Sequence, residues 1–285
     1  MGLPMAACLA EKFSVRGFDI HECRRVLAEE AGVPCFASAR LAVAGAGVVV
    51  LAVRNQEQLV SVLFGPEGVA EVLPPGVVVV LTSTVGADAI SAVDTRLADL
   101  GISLVDAPLS GGPARAGAGD LLIVVGAEPE VLLLARPVLE ALASTLTIVG
   151  DSPGDGQKLK TVNQLLCGIH IAAAAEALAL ADALGLDREK ALAALESGAA
   201  GSFMLSNRGP RMLQAYDEDG AVVLSRLDIF VKDLGIVGKA VRAAGISSPL
   251  AATAEQVFLL AQTQGLGTRD DSAVIRVIAP TRHGD

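Results

Sequence analysis

Short runs that are apolar at nearly every position recur along the first half of the chain. They are VVVLAV at Val48–Val53, VVVVLT at Val77–Thr82 and LLIVV at Leu121–Val125. Unbroken apolar runs of this length are the signature of parallel-sheet strands with both faces covered. Between them lie segments of helical length, near Gln56–Leu63, Asp88–Leu100 and Glu128–Leu142. Further strands are expected at Val15–Asp19, Ser103–Ala107 and Thr147–Ile148, and further helices at Pro4–Glu11 and His21–Ala31. Strands alternating with helices predict an α/β fold, a Rossmann-type doubly wound parallel sheet.

The pattern changes after Gly150. DSPGDGQ is a turn-rich joint, and Gln157–Leu184 reads as one long Ala/Leu helix, roughly 40 Å at 1.5 Å per residue. GLD at Gly185–Asp187 stops that helix and starts another, and nothing beyond it reads as a strand. Residues 1–150 are therefore expected to form the sheet domain, and 151–285 an all-helical domain.

Composition narrows the partners. The chain is 52% hydrophobic but 3% aromatic with no Trp, so its core is built from Ala, Val, Leu and Ile. A net charge of −10 argues against nucleic acid and anionic membrane surfaces, which call for clustered Lys and Arg. The apolar run Leu41–Val53 has thirteen residues, too few to span a bilayer. MGLPMA reads as neither a signal peptide nor a myristoylation signal. The cysteines Cys8, Cys23, Cys35 and Cys167 form no CxxC pair, as expected for reduced thiols in a cytoplasmic protein, and no metal site is expected.

A dinucleotide-binding unit reads strand, G-x-G-x-x-G, helix, strand, acid. Gly2 suits the third glycine of that pattern, and Asp19 suits the acid that accepts hydrogen bonds from an adenosine ribose. An acid there repels a 2′-phosphate and so favours NAD over NADP. A strand-end Asp is as often a turn former or helix cap. The strand and the first two glycines that should precede Gly2 are missing from the sequence, so the sheet is expected to lack its first strand.

Four segments, MGLPMA, VDAPLSGGPARAGAGDLLIVVG, GDGQKLKTVNQ and FVKDLGIV, occur in an order and at a spacing that resemble the β-hydroxyacid dehydrogenase family. That family includes 3-hydroxyisobutyrate dehydrogenase and tartronate semialdehyde reductase. QLLCGIHIAAAAEALALA, DIFVKDLG and the late DDSAVIR resemble its L-threonate-oxidising branch. The resemblance implies NAD-dependent hydride transfer with a small hydroxycarboxylate; the Ala-rich surfaces of the helical domain, more than one small sheet can cover, separately predict a homodimer or homotetramer with the long helix at the interface.

The chemistry of the residues agrees with it. Ser110 offers a hydroxyl, and Gly111 and Gly112 leave backbone N–H groups accessible, which together suit a carboxylate. Read alone, the same residues make an ordinary Ser-Gly-Gly turn. Lys160 and Asn163, three apart, share a helix face, whereas Lys158 lies on another. By resemblance Lys160 is the catalytic lysine, Asn163 binds substrate, and Ser110, Gly111 and Gly112 form the substrate-carboxylate loop. A base role for Lys160 requires a pKa below the ordinary ~10.4. Gln164 stands where the family often has a second Asn. Val53, Arg54, Thr84 and Lys232 fall where the family contacts its cofactor, beside Gly2 and Asp19. The rival reading from another class is a non-catalytic dinucleotide-binding or scaffold protein, motivated by the missing first strand.

Overall fold

The computed structural model describes residues 1–282. The chain divides into two compact units, Met1–Lys160 and Thr161–Asp285.

The first unit holds helices α1 (Gly2–Ala10), α2 (Glu22–Glu30), α3 (Ala39–Val43), α4 (Gln56–Phe64), α5 (Ala87–Ala98), α6 (Gly112–Gly117) and α7 (Pro129–Leu142). Its strands are β1 (Val48–Leu51), β2 (Val78–Leu81), β3 (Ser103–Asp106), β4 (Leu109–Ser110), β5 (Leu121–Gly126) and β6 (Ala143–Gly150). β1, β2 and β3 pair in parallel, and β6 pairs in parallel with β5. β3 and β4 meet β5 antiparallel, so the doubly wound sheet is mixed rather than purely parallel.

Both sheet faces are covered, which explains the unbroken apolar runs. Val78, Val80, Val105, Ile123 and Val125 pack with Met5 and Leu9 of α1 and Leu132 and Leu139 of α7. Their neighbours Val49, Leu51, Val79, Leu81 and Leu104 pack with Leu59 and Leu63 of α4 and Ile90 and Leu97 of α5.

Two strand expectations need correction. Val15–Asp19 makes only an isolated parallel bridge, Gly17 to Cys35, with Gly17 N–H on Pro34 O at 2.8 Å. Among the described residues β1 is an edge of the sheet, and Val15–Asp19 does not pair with it. Thr147–Ile148 belongs to the longer β6, which was hard to read because it lies at a sheet edge and is largely open to solvent.

Helix α8 (Asp155–Ala183) begins in the first unit and continues into the second. It is long and apolar enough to cross a membrane, but 56% of its most apolar window is buried within the protein, as in a core helix. The second unit adds α9 (Arg188–Ser197), α10 (Phe203–Gln214), α11 (Leu227–Ala243), α12 (Pro249–Thr263) and α13 (Ile275–Ile278). Its core gathers Ile171, Ala175 and Leu178 of α8 with Met212, Phe230, Leu234, Phe258 and Val274. Gly168 lets α8 approach α11 closely: a Cβ there would lie 2.6 Å from Leu234 Cδ2. Beside this core, Arg208 and Arg211 of α10 pair with Asp270 and Asp271, both acids being fully buried.

Candidate active site

β3 ends at Asp106, and DAPLSGG turns back from it as β4 and the start of α6. Gly111 adopts φ +146, where a Cβ would meet Leu121 Cδ2 at 2.9 Å, so only glycine fits this corner comfortably. The turn presents Ser110 to the opening of α8. There Lys160, 7% exposed, donates from Nζ to Ser110 Oγ at 2.9 Å. The lysine and the Ser-Gly-Gly loop expected from sequence are thus brought together.

The opening of α8 is held by Asp106. Its Oδ2 accepts from Gly154 N at 3.0 Å and Gln157 N at 2.8 Å, capping the helix. Gly156 permits the approach, since a Cβ there would lie 2.9 Å from both Asp106 O and Oδ2. Asp106 Oδ1 accepts from Gln157 Nε2 at 2.7 Å. Burial pushes the Asp106 carboxyl up to about 6, while the hydrogen bonds from Gln157 and Gly154 work in the other direction. The Gln157 amide also reaches the loop after β2. Nε2 donates to Ser83 O at 3.0 Å, and Oε1 accepts from Val85 N at 2.9 Å and Gly86 N at 3.0 Å.

That loop carries the half-buried Thr84. Beside it the Ser83 hydroxyl is buried with no hydrogen-bond partner among the described residues. A polar atom left over at the carboxyl end of a parallel strand fits a bound ligand, because such sheets bind nucleotides there. Gly2 opens α1 beside the end of β1: a Cβ on it would lie 3.6 Å from Ala52 Cβ. Among these strand ends and the first turn of α1 are groups suited to a dinucleotide. Val53 is half-buried. The Arg54 side chain is exposed, and its N–H is taken by Gln58 Oε1 at 2.9 Å, in the cap of α4. Asp19 is exposed, and its Oδ1 accepts from His21 N at 2.9 Å, the turn-forming role weighed for it above.

Comparison with known proteins decides the family. The NAD-binding domain of 6-phosphogluconate dehydrogenase matches residues 1–150, and the family described as NAD-binding of NADP-dependent 3-hydroxyisobutyrate dehydrogenase matches residues 154–278. An L-threonate dehydrogenase of Cupriavidus necator is 39% identical, covering 94% of this chain and 91% of the relative. One from Escherichia coli O6:H1 is 36% identical over 98% of this chain and 92% of its own length. The crystal structure of a 3-hydroxyisobutyrate dehydrogenase from Salmonella typhimurium superposes with a TM-score of 0.89 at 34% identity, covering 97% of this chain and 95% of that one. The chain belongs to the 3-hydroxyisobutyrate dehydrogenase-like family. It is an NAD(P)-dependent oxidoreductase with a small hydroxyacid substrate.

In this dehydrogenase the remaining expected residues lie in the second unit and form a connected polar chain. Asn163 donates to Gln164 Oε1 at 2.9 Å and to Cys167 Sγ at 3.3 Å. Gln164 donates to Asp233, which also pairs with Lys232 Nζ at 2.7 Å. Gln164, noted in the sequence only as a departure from a second Asn, is therefore the link between Asn163 and the α11 acid. Sequence reasoning assigned no role to Asp106, Gln157 or Asp233. Each stood inside a quoted motif, but its partner is far along the chain, and that distance hid the contact.

Proposed function

We propose that this dehydrogenase oxidises L-threonate to its 2-oxo acid with NAD. The observation that carries the reading is the part-buried hydrogen bond from Lys160 Nζ to Ser110 Oγ, 2.9 Å long, at the mouth of a Ser-Gly-Gly turn. Ser110 with the Gly111 and Gly112 amides receives the substrate carboxylate, and Asn163 orients the substrate hydroxyls. Lys160 takes the proton of the alcohol during oxidation and returns it during reduction. NAD, when bound, supplies the hydride acceptor. Gly2, Val53, Arg54, Thr84 and Lys232 are assigned to holding it, and the Asp19 carboxylate disfavours a 2′-phosphate. Residues 1–150 serve mainly cofactor binding and also supply the Ser-Gly-Gly loop, and 151–285 serve mainly substrate binding and assembly, with Lys232 reaching the cofactor. The identities of 36–39% to several L-threonate dehydrogenases support this substrate over 3-hydroxyisobutyrate or glycerate. Formation of NADH, followed by its near-ultraviolet absorbance, should give a kcat/KM for L-threonate at least about tenfold above those rivals. A preference for either rival overturns the substrate. A folded chain that binds NADH and oxidises none of them favours the non-catalytic reading.

The chain assembles through α8. Val162, Leu166 and Leu180, 56%, 49% and 59% exposed, recur at helical spacing on one face with Ala173. An apolar stripe of that length suits a second copy of the same helix in a homodimer or homotetramer. Leu166→Lys should shift the sedimentation coefficient to that of a monomer, and a wild-type monomer at micromolar concentration removes the idea. The four free cysteines, of which Cys23 is exposed, support a reducing cytoplasm as its location.

A further inference from the structure

We infer that Gln157 is a positioning residue that locks the cofactor-side loop after β2 to the helix bearing Lys160; the inference rests on the functional reading above. The amide is saturated. Its two hydrogens go to Ser83 O and Asp106 Oδ1, and its oxygen accepts from Val85 N and Gly86 N, all at 2.7–3.0 Å. A primary amide has two donors and room for two acceptors, so the orientation is fixed. Turning it over would set NH₂ against two backbone N–H groups and oxygen against two acceptors. Gln157 itself is 0% exposed, so each lost contact leaves a polar group buried without water.

Gln157 lies three residues before Lys160, in the first turns of α8. Asp106, its partner, begins the segment that turns back to Ser110. One side chain therefore connects three pieces: the loop 83–86, the base of the Ser-Gly-Gly turn and the helix that carries the lysine. Hydride transfer is sensitive to the relative placement of such pieces, and a displacement of about 1 Å can cost about 100-fold in rate. A residue that fixes them acts on turnover more than on substrate affinity.

The donor pattern supplies its own test. Gln157→Glu puts an oxygen against Ser83 O and the Asp106 carboxylate, and Asp106→Asn sets a donor against the Gln157 donor. Combined, Asp106→Asn/Gln157→Glu reverses the polarity of their shared hydrogen bond. The Asn oxygen can still cap α8, its NH₂ can donate to the Glu, and the Glu can still accept from Val85 and Gly86. Only the bond to Ser83 O stays broken, and the net charge is unchanged. The expected result is a kcat about 100-fold lower in Gln157→Glu with substrate KM within about threefold, and recovery of at least about tenfold in the double variant. NADH affinity, titrated by fluorescence, should weaken by about tenfold in Gln157→Glu and return in the double variant. Circular dichroism melts of each cofactor-free variant, with Gln157→Met as an apolar control, separate placement from folding.

A Gln157→Met protein with kcat and NADH affinity both within threefold of wild type overturns the inference. So does a double variant no better than Gln157→Glu, or loss of folding in every variant, which would make Gln157 a residue of stability alone. If the wild-type chain turns over no hydroxyacid, the functional reading fails, and the NADH titrations with the melts still decide this inference.

Discussion

Lys160→Ala should lower turnover of the hydroxyacid by about 10³-fold or more, while NADH affinity should stay within about threefold. The lysine is buried at 7% exposure and directed at Ser110, so it lies where a substrate held by the Ser-Gly-Gly turn would place its hydroxyl. In the proposed mechanism, removing the amine removes the group that accepts the alcohol proton as the carbon becomes a carbonyl. On the same proposal substrate would still meet Ser110 and the glycine amides, so the loss should fall on kcat more than on KM. Ser110→Ala should differ: by the proposed role it removes a carboxylate contact, so it should raise KM with a smaller effect on kcat. Near-normal turnover in Lys160→Ala would remove the lysine from the mechanism and leave the 2.9 Å hydrogen bond a packing detail.

The largest expected effect on stability lies in the second unit. Arg211 Nε donates to Asp270 Oδ1 at 2.9 Å, and its NH2 group reaches Asp271 Oδ1 at 3.4 Å. Arg208 supplies the other guanidinium, with its NH2 group 2.8 Å from Asp271 Oδ2. Asp270 also accepts from Leu224 N at 2.9 Å and from Ser272 Oγ at 2.7 Å. Burial works against ionising Asp270, but the bonds from Ser272 and Leu224 and the Arg211 charge prevail and lower its pKa. Burial dominates at Asp271 and raises it. Arg211→Met leaves two neighbouring buried acids with one cation between them. Breaking a buried network from one side costs about 3–5 kcal/mol, and the melting midpoint should fall by about 10 °C or more. Arg136→Met breaks an exposed pair with Glu140 and should change stability by less than about 1 kcal/mol. Equal, small shifts in both variants would show that the buried network adds nothing to the stability of the native fold.

The two DDS acids illustrate what a sequence can and cannot carry. DDSAVIR was legible as a marker of the L-threonate-oxidising branch, yet nothing near it indicates arginines about sixty residues earlier on α10. The central strands were legible because both faces of VVVVLT are buried, whereas β6 mixes Ser and Thr with apolar residues and faces solvent. Val15–Asp19 has the composition of a strand, but a strand also needs a neighbour, and composition does not record one. Lys160 and Ser110 were named through their motifs. Their hydrogen bond joins residues fifty apart and could be seen only once the DAPLSGG turn had folded back. Gln157 escaped for the opposite reason: a glutamine in a helix carries no chemical signal until its four partners are in place.

The carboxylate under α8 also makes this dehydrogenase a proton-linked fold. Asp106 is held near 6 in the folded chain, against 3.8 for an ordinary aspartate. The folded state therefore binds the proton more tightly than the unfolded state does. Its contribution to stability is fully present below the unfolded value and is lost as pH rises through about 6. A difference of about two pKa units corresponds to about 3 kcal/mol. At neutral pH the fold thus carries an ionised acid that burial opposes, and it does so where that acid caps the helix bearing Lys160. Asp270 responds with the opposite sign: its contribution is present above 3.8 and is lost as pH falls through its lowered folded value. Mild acid should accordingly relieve Asp106 before it begins to loosen the contacts of Asp270, while Asp271, raised by burial, responds with the same sign as Asp106.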